Sequence, residues 1–351
     1  MSDAAKFSPG QLHSVPLAPG VALDFRYIPP TGDAGFRMGS RYEEAGTDWP
    51  QKTEQPIHRV RIAHGFWLGE TPVTQAQFAL WAQTHEPEHK NAFPDHDDHP
   101  AENMDWRQAV RCCDWLTKRM HAEKQFPAGT SLACLPTEAE WEYACRASTD
   151  TDYFTGDGEA ALAEVGRFDE PYAAGTRPVR LGAKNVWGLH DLHGHVWQWC
   201  HDVWGEETYK PRPIYRRHVD GDGDPGAAER SADHATLARW KAMLENRRQR
   251  VMCGGSWVDS PGLCRSAYRD WSGPGGRNGI LGFRLCLAPG PTEPKEKPEQ
   301  EEAEAARGAG DGGRGTSPES RATRATGAGV KKPALPDLAK ARLPRRPKNF
   351  P

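Results

Sequence analysis

GGSWVDSPGLCRSAYRDW, Gly254–Trp271, runs on through NGILGFRL to Leu285 and decides the fold. It is dense in Gly, Arg and Trp and has no amphipathic period, so it predicts irregular backbone held by arginine forks and aromatic plates. Binding and catalytic groups concentrate on such loops when a rigid scaffold holds them.

Outward from this stretch, composition sets limits. The 351 residues suffice for one large domain or two ordinary ones. Lys+Arg number 45 against 48 Asp+Glu, a formal charge of −3 that argues against a dedicated nucleic-acid surface. Only 37% of residues are hydrophobic, yet all 13 Trp fall between Trp49 and Trp271, which confines the core to the middle of the chain. The N-terminus lacks the basic-then-apolar layout of a signal peptide, and no apolar run reaches the ~20 residues that span a bilayer. The expectation is a cytoplasmic protein with no membrane partner, whose eight Cys are thiols and form no CxxC pair.

Three helices announce themselves. Thr74-x-x-Gln77 opens VTQAQFALWAQT as a capping box, Asp105 precedes WRQAVRCCDWLTKRM, and Thr137-x-x-Glu140 caps TEAEWEYACRAS. VALDFRYI, HRVRIAHGFWL and GFRLCLA read as strands. The expected organisation is an N-terminal extension over 1–20, a domain over 21–289 carrying an insertion at 205–250, and a disordered charged tail over 290–351. The tail has no Trp, Tyr or Cys and cannot bury enough surface to offset its ordering entropy. Its basic end is the one place where nucleic acid or an acidic partner is expected to bind.

Taken together, FRMGS, ETPVTQAQFALW, MDWRQAVRCCDWL, LPTEAEWEYACRA, NVWGLHDLHGHVWQWCHDVW and GGSW…RSAYR…GFRL resemble the formylglycine-generating enzyme family, also called sulfatase-modifying factors. The resemblance covers roughly Leu23 to Ala288 in the family's order. It implies an α+β fold, the formylglycine-generating-enzyme variant of the C-type lectin fold, with little regular structure and a pocket near the C-terminal end. It leaves activity open, because the family spans oxidases, sulfoxide synthases and ligand binders.

In the oxidases the GGS segment carries two thiolates that bind copper(I). The same count from Gly254 gives Asp259 at the first position and Cys264 at the second, with Ser256 bordering the pocket. A carboxylate is a hard ligand and a poor substitute for a thiolate on Cu(I), so copper is not expected. Cys253 and Cys286 lie in strand-like context and read as buried thiols. His190, His193, His195 and His201 invite a redox metal, but His193 stands where the family often has a structural His. The family's calcium positions match Asp191, the carbonyls of Gly194 and Val196, and Gln198; Gln198 replaces a Glu, so calcium is expected to bind weakly or leave the site empty.

Arg265, Arg269 and Arg284 read as structural forks. The positions between the fixed residues mix chemistry as contact residues on a frame would: Val258, Asp259, Ser260, Leu263, Tyr268, Trp271, Ser272, Gly276, Gly279 and Ile280, with Trp197 and Trp257 beside them. Tyr268 and Trp271 are the expected anchors. Two functions follow. One is an oxidoreductase acting on a peptide or small-molecule thiol, with Cys264 as reactive thiolate. The other is a non-catalytic binder of a peptide, protein or small-molecule ligand, akin to the retroelement-diversified variable proteins that the family resembles.

Overall fold

The structure is a computed structural model and describes residues 7–40, 51–205, 215–216 and 247–289. The tail assigned to 290–351 and most of the insertion assigned to 205–250 lie outside the described residues. Among the described residues no helix is long and apolar enough to cross a membrane.

Each expected helix starts where its cap stands. Thr74 and Gln77 exchange hydrogen bonds at the head of α1 (Gln75–His85), and Thr137 and Glu140 do so at the head of α3 (Glu138–Arg146). Asp105 and Gln108 form the same reciprocal box on α2 (Trp106–Ala122). Each box satisfies two backbone donors that the first helical turn would leave bare. A short α4 (Glu159–Ala163) follows.

A five-stranded antiparallel sheet, in the order β1-β2-β5-β12-β6, forms one wall. Its members are β1 (Leu12–Ala18), β2 (Val21–Ile28), β5 (Phe66–Gly69), β6 (Leu132–Cys134) and β12 (Cys286–Ala288). A four-stranded sheet runs β10-β9-β7-β11, from β7 (Trp197–Val203), β9 (Arg250–Cys253), β10 (Arg269–Ser272) and β11 (Leu281–Phe283). A small third sheet joins β3 (Phe36–Met38), β4 (His58–Arg61) and β8 (Tyr215–Arg216). Most of the apolar core divides into two clusters. One is built on Phe25, Trp67, Trp81, Trp106, Trp199 and Phe283, the other on Phe66, Trp141, Leu189, Cys200 and Val251.

Three expectations need correction. The chain before Val21 is not an extension, because β1 pairs with β2 from Leu12 opposite Arg26 to Ala18 opposite Val21. Val15 and Leu17 are buried, and Phe7 packs on Tyr27 and Trp67 at 5.2 and 5.1 Å. Pro16 disguises the strand in the sequence; an edge strand tolerates a residue that cannot donate to the ladder. GFRLCLA, read as one strand, is two. β11 pairs in parallel with β7, whereas β12 lies between β5 and β6. Arg284 sits at the crossing, fully buried, and its guanidinium donates to the carbonyls of Gly69, His190 and Asp191 and to Gln198 Oε1. HRVRIAHGFWL also divides, into β4 and β5.

Candidate functional site

The strand β9 delivers the chain to Gly254 and Gly255, both with positive φ (102° and 70°). A Cβ at Gly255 would lie 2.7 Å from Cys264 Sγ and 2.9 Å from the Leu263 carbonyl, so the two arms of the segment approach closely only because that atom is missing. Ser256 is wholly buried. Its backbone N–H and its hydroxyl both donate to Asp259 Oδ2, at 2.8 and 2.5 Å. The Asp259 carboxylate thereby caps its own turn. Burial pushes its pKa up, while hydrogen bonds from Ser256 and Trp197 oppose the shift.

Cys264 ends a 3₁₀ turn (Pro261–Cys264) and is sealed. Its sulfur lies 3.9 Å from the Ser256 carbonyl and 3.8 Å from that of Ser260. Burial, reinforced by the charges of Asp259 and Asp169, pushes the thiol pKa well up. A thiolate is the reactive and metal-binding form of cysteine, so this setting opposes both roles. The residues present do not fit copper(I): the one sulfur is enclosed, and the carboxylate at the other position is engaged with Ser256.

The histidines do not converge. His193 Nδ1 is 2.8 Å from the Cys264 carbonyl, and its Nε2 accepts the Phe154 N–H at 3.3 Å. Burial lowers its pKa to about 4, which keeps the ring neutral near pH 7. His195 Nε2 accepts the Arg177 N–H. Among the described residues no group of three or more His, Cys, Asp or Glu is placed to hold a metal. The calcium-like positions are also engaged. Asp191 accepts the N–H groups of Arg180 and Leu181 at 2.7 and 2.9 Å. Gln198 Oε1 accepts from Trp141 Nε1 and Arg284 Nε, and its Nε2 donates to the Asp191 carbonyl. Calcium takes six to eight oxygens that face the ion. With N–H donors and a guanidinium on the side-chain oxygens of Asp191 and Gln198, these residues do not fit it, and the Gly194 and Val196 carbonyls alone are too few.

The three arginines read as forks are forks. Arg265 makes a bidentate pair with buried Glu54 at 2.8 and 2.9 Å, and Arg269 makes one with Glu138. Arg269 also lies over the Trp204 ring at 4.4 Å. Three expected contact aromatics, Trp197, Trp257 and Tyr268, are interior instead. Trp257 is fully buried under Phe93 and Tyr172, at centroid distances of 5.5 and 6.0 Å. Tyr268 packs against buried Trp197 at 5.9 Å. Gly279 is also buried, closed over by Tyr172, Ala92 and Phe93. Val258, Leu263, Trp271, Ser272, Gly276 and Ile280 are half-buried, and Ser260 is exposed. Leu263 and Ile280 pack on the same large core cluster that holds Trp197 and Tyr268.

Sequence reasoning missed the carboxylates that hold the frame: Glu54, Glu138 and Glu142, the last accepting from Arg146 Nε at 2.8 Å and the Gly39 N–H at 2.9 Å. It also missed Glu102, whose buried carboxylate accepts the N–H groups of Ala92 and Phe93 at 2.9 and 2.8 Å. The one available signal was arginine in excess within a loop, which demands anions somewhere in the fold. A cleft of about 460 Å³ opens elsewhere, between Arg37, Ser40, Arg146, Asp152 and Arg265, and none of the expected contact residues lines it.

Comparison with known proteins agrees with this architecture. The family model for the sulfatase-modifying factor enzyme 1-like domain matches residues 31–289. The formylglycine-generating enzyme of Streptomyces coelicolor is 26% identical over 310 residues, covering 71% of this chain and 85% of that protein. The serine/threonine-protein kinase pkn1 of Chlamydia caviae is 27% identical over 256 residues, covering 67% of this chain and 34% of the kinase. The match to the kinase thus spans about a third of its length. Among solved structures, Treponema denticola variable protein 1 superposes with a TM-score of 0.56 at 23% identity, covering 80% of this chain and 99% of that one. PvdO from Pseudomonas aeruginosa gives 0.57 at 19%, with the same coverage. The fold is α+β, the formylglycine-generating-enzyme variant of the C-type lectin fold. With the family model matched from residue 31 to 289, the chain belongs to the sulfatase-modifying factor enzyme 1-like family, the family of the formylglycine-generating enzymes.

Proposed function

We propose that this domain is a non-catalytic binder of the C-type lectin fold, taking a protein, peptide or small-molecule ligand on the face around Leu263, Trp271 and Ile280. The observation that carries the reading is the enclosure of Cys264. Its sulfur has carbonyls as neighbours, its thiol is held protonated, and Asp259 is committed to Ser256. Dithiolate chemistry on a substrate thiol needs two soft ligands facing solvent, and neither position offers one. The half-buried residues of the segment support recognition instead: an aromatic (Trp271), two aliphatics and small polar groups on a rigid support. The fold is also that of a variable protein.

The test pairs selection with chemistry. A displayed random peptide library is panned against the full chain, and recovered peptides are retitrated by calorimetry. Trp271→Ala is expected to weaken them about tenfold or more, as loss of an aromatic anchor does, while Cys264→Ala leaves affinity unchanged. Aldehyde formation on a CxPxR peptide by copper-loaded protein, abolished in Cys264→Ala, would overturn the proposal.

A further inference from the structure

Two thiols outside the candidate site lie against each other. Cys200 on β7 and Cys253 on β9 sit on neighbouring antiparallel strands, and their sulfurs are 3.9 Å apart. Both are buried and belong to the cluster of Trp141, Leu192, Val251 and Cys286. We propose that Cys200 and Cys253 are a modification site, oxidised to an internal disulfide when the chain folds in the presence of a small-molecule disulfide.

The step balances as ordinary thiol–disulfide exchange. The Cys200 sulfur attacks one sulfur of the oxidant RSSR, expelling RS⁻ and leaving a mixed disulfide. The Cys253 sulfur then attacks Cys200, expels the second RS⁻ and closes the bond. The protein loses two protons and two electrons, and RSSR becomes two RSH. The surroundings favour this product over a metal held by the same pair. A dithiolate would have to be charged inside an apolar cluster, where burial pushes the Cys253 thiol far up. A disulfide leaves no charge behind.

Burial also sets the kinetics. Neither sulfur can be reached in the closed fold, so exchange proceeds while β9 is docking on β7 or during its local opening. Once formed, the bond is shielded from reductant. It would tie the strand carrying Trp197 and Gln198 to the strand that leads into Gly254–Ser256, and would constrain the unfolded chain between residues 200 and 253.

The full chain is reduced, unfolded, refolded with glutathione disulfide, alkylated, digested and mapped by mass spectrometry. The expected result is one bridge joining the Cys200 and Cys253 peptides, two hydrogens lighter than the reduced pair. The bridge should survive dithiothreitol in the native state and be lost to it in denaturant. The oxidised form is expected to melt about 5 °C above the reduced form. That difference should vanish in Cys200→Ser and Cys253→Ser and persist in Cys134→Ser. Cys134 and Cys286, opposed across β6 and β12, are the control pair. If either serine variant fails to fold, the map of the unsubstituted chain decides. Full alkylation of all eight cysteines, or a bridge between Cys134 and Cys286 in its place, would sink the proposal.

Discussion

Side chains leave the segment Gly254–Ser272 in two directions. Inward go Arg265 and Arg269, each locked to a buried glutamate from a distant part of the chain, Glu54 and Glu138. A second set is not buried: Val258, Leu263, Trp271 and Ser272 are half-buried, and Ser260 is exposed. The contrast separates support from display. A loop with little ladder hydrogen bonding holds its shape through a few desolvated forks, which leaves the residues between them free to vary. Buried ion pairs of this kind fix geometry more than they add net stability, because desolvation offsets much of their attraction.

The sharpest way to break that contrast is at Arg269. Arg269→Ala takes the guanidinium fork from the buried Glu138 carboxylate and is expected to cost about 3–5 kcal/mol in urea unfolding. The apolar double variant Arg269→Met with Glu138→Leu is expected to recover most of the loss. A loss under about 1 kcal/mol for the single variant would mean the fork supports nothing.

Next in size is Glu102, beneath the loop that carries Phe93 over Trp257. Burial raises its pKa from 4.5 to about 7, and the Phe93 and Ala92 N–H groups only partly oppose the shift. The folded pKa exceeds the unfolded one, so this stabilisation is full below pH 4.5 and lost as pH rises through 7. Unfolding free energy is expected to fall by about 3 kcal/mol across that window. Glu102→Gln should flatten the profile, and an unchanged slope would refute the assignment.

Smaller effects test the sealed thiol and the outer set. Cys264→Ala removes a buried sulfur and is expected to cost about 1 kcal/mol in the same denaturation assay. Ser260→Ala and Ser272→Ala should stay within about 0.5 kcal/mol, as surface changes do. A larger loss at either serine would move it from display to support.

Local signals were readable where they are complete in themselves. The caps at Thr74, Asp105 and Thr137 need only residues three apart, and each helix starts at its cap. VALDFRYI is β2 from end to end. What failed needed a partner distant in sequence. Pro16 masked β1, whose hydrogen bonds come from β2. Tyr268 and Trp257 were expected outside, because irregular backbone has no period to say which side faces in. Trp197 covers one; Phe93 and Tyr172 cover the other.

By itself the sequence determined the family, the helix starts, the structural role of Arg265, Arg269 and Arg284, and the presence of a carboxylate at Asp259. These depend on residue type and short spacing. Only the tertiary structure decided that Cys264 is sealed, that N–H groups occupy the oxygens of Asp191 and Gln198, and that Cys200 meets Cys253. Each of these depends on desolvation and on distance between segments far apart in the chain, and neither quantity exists until the sheets have packed.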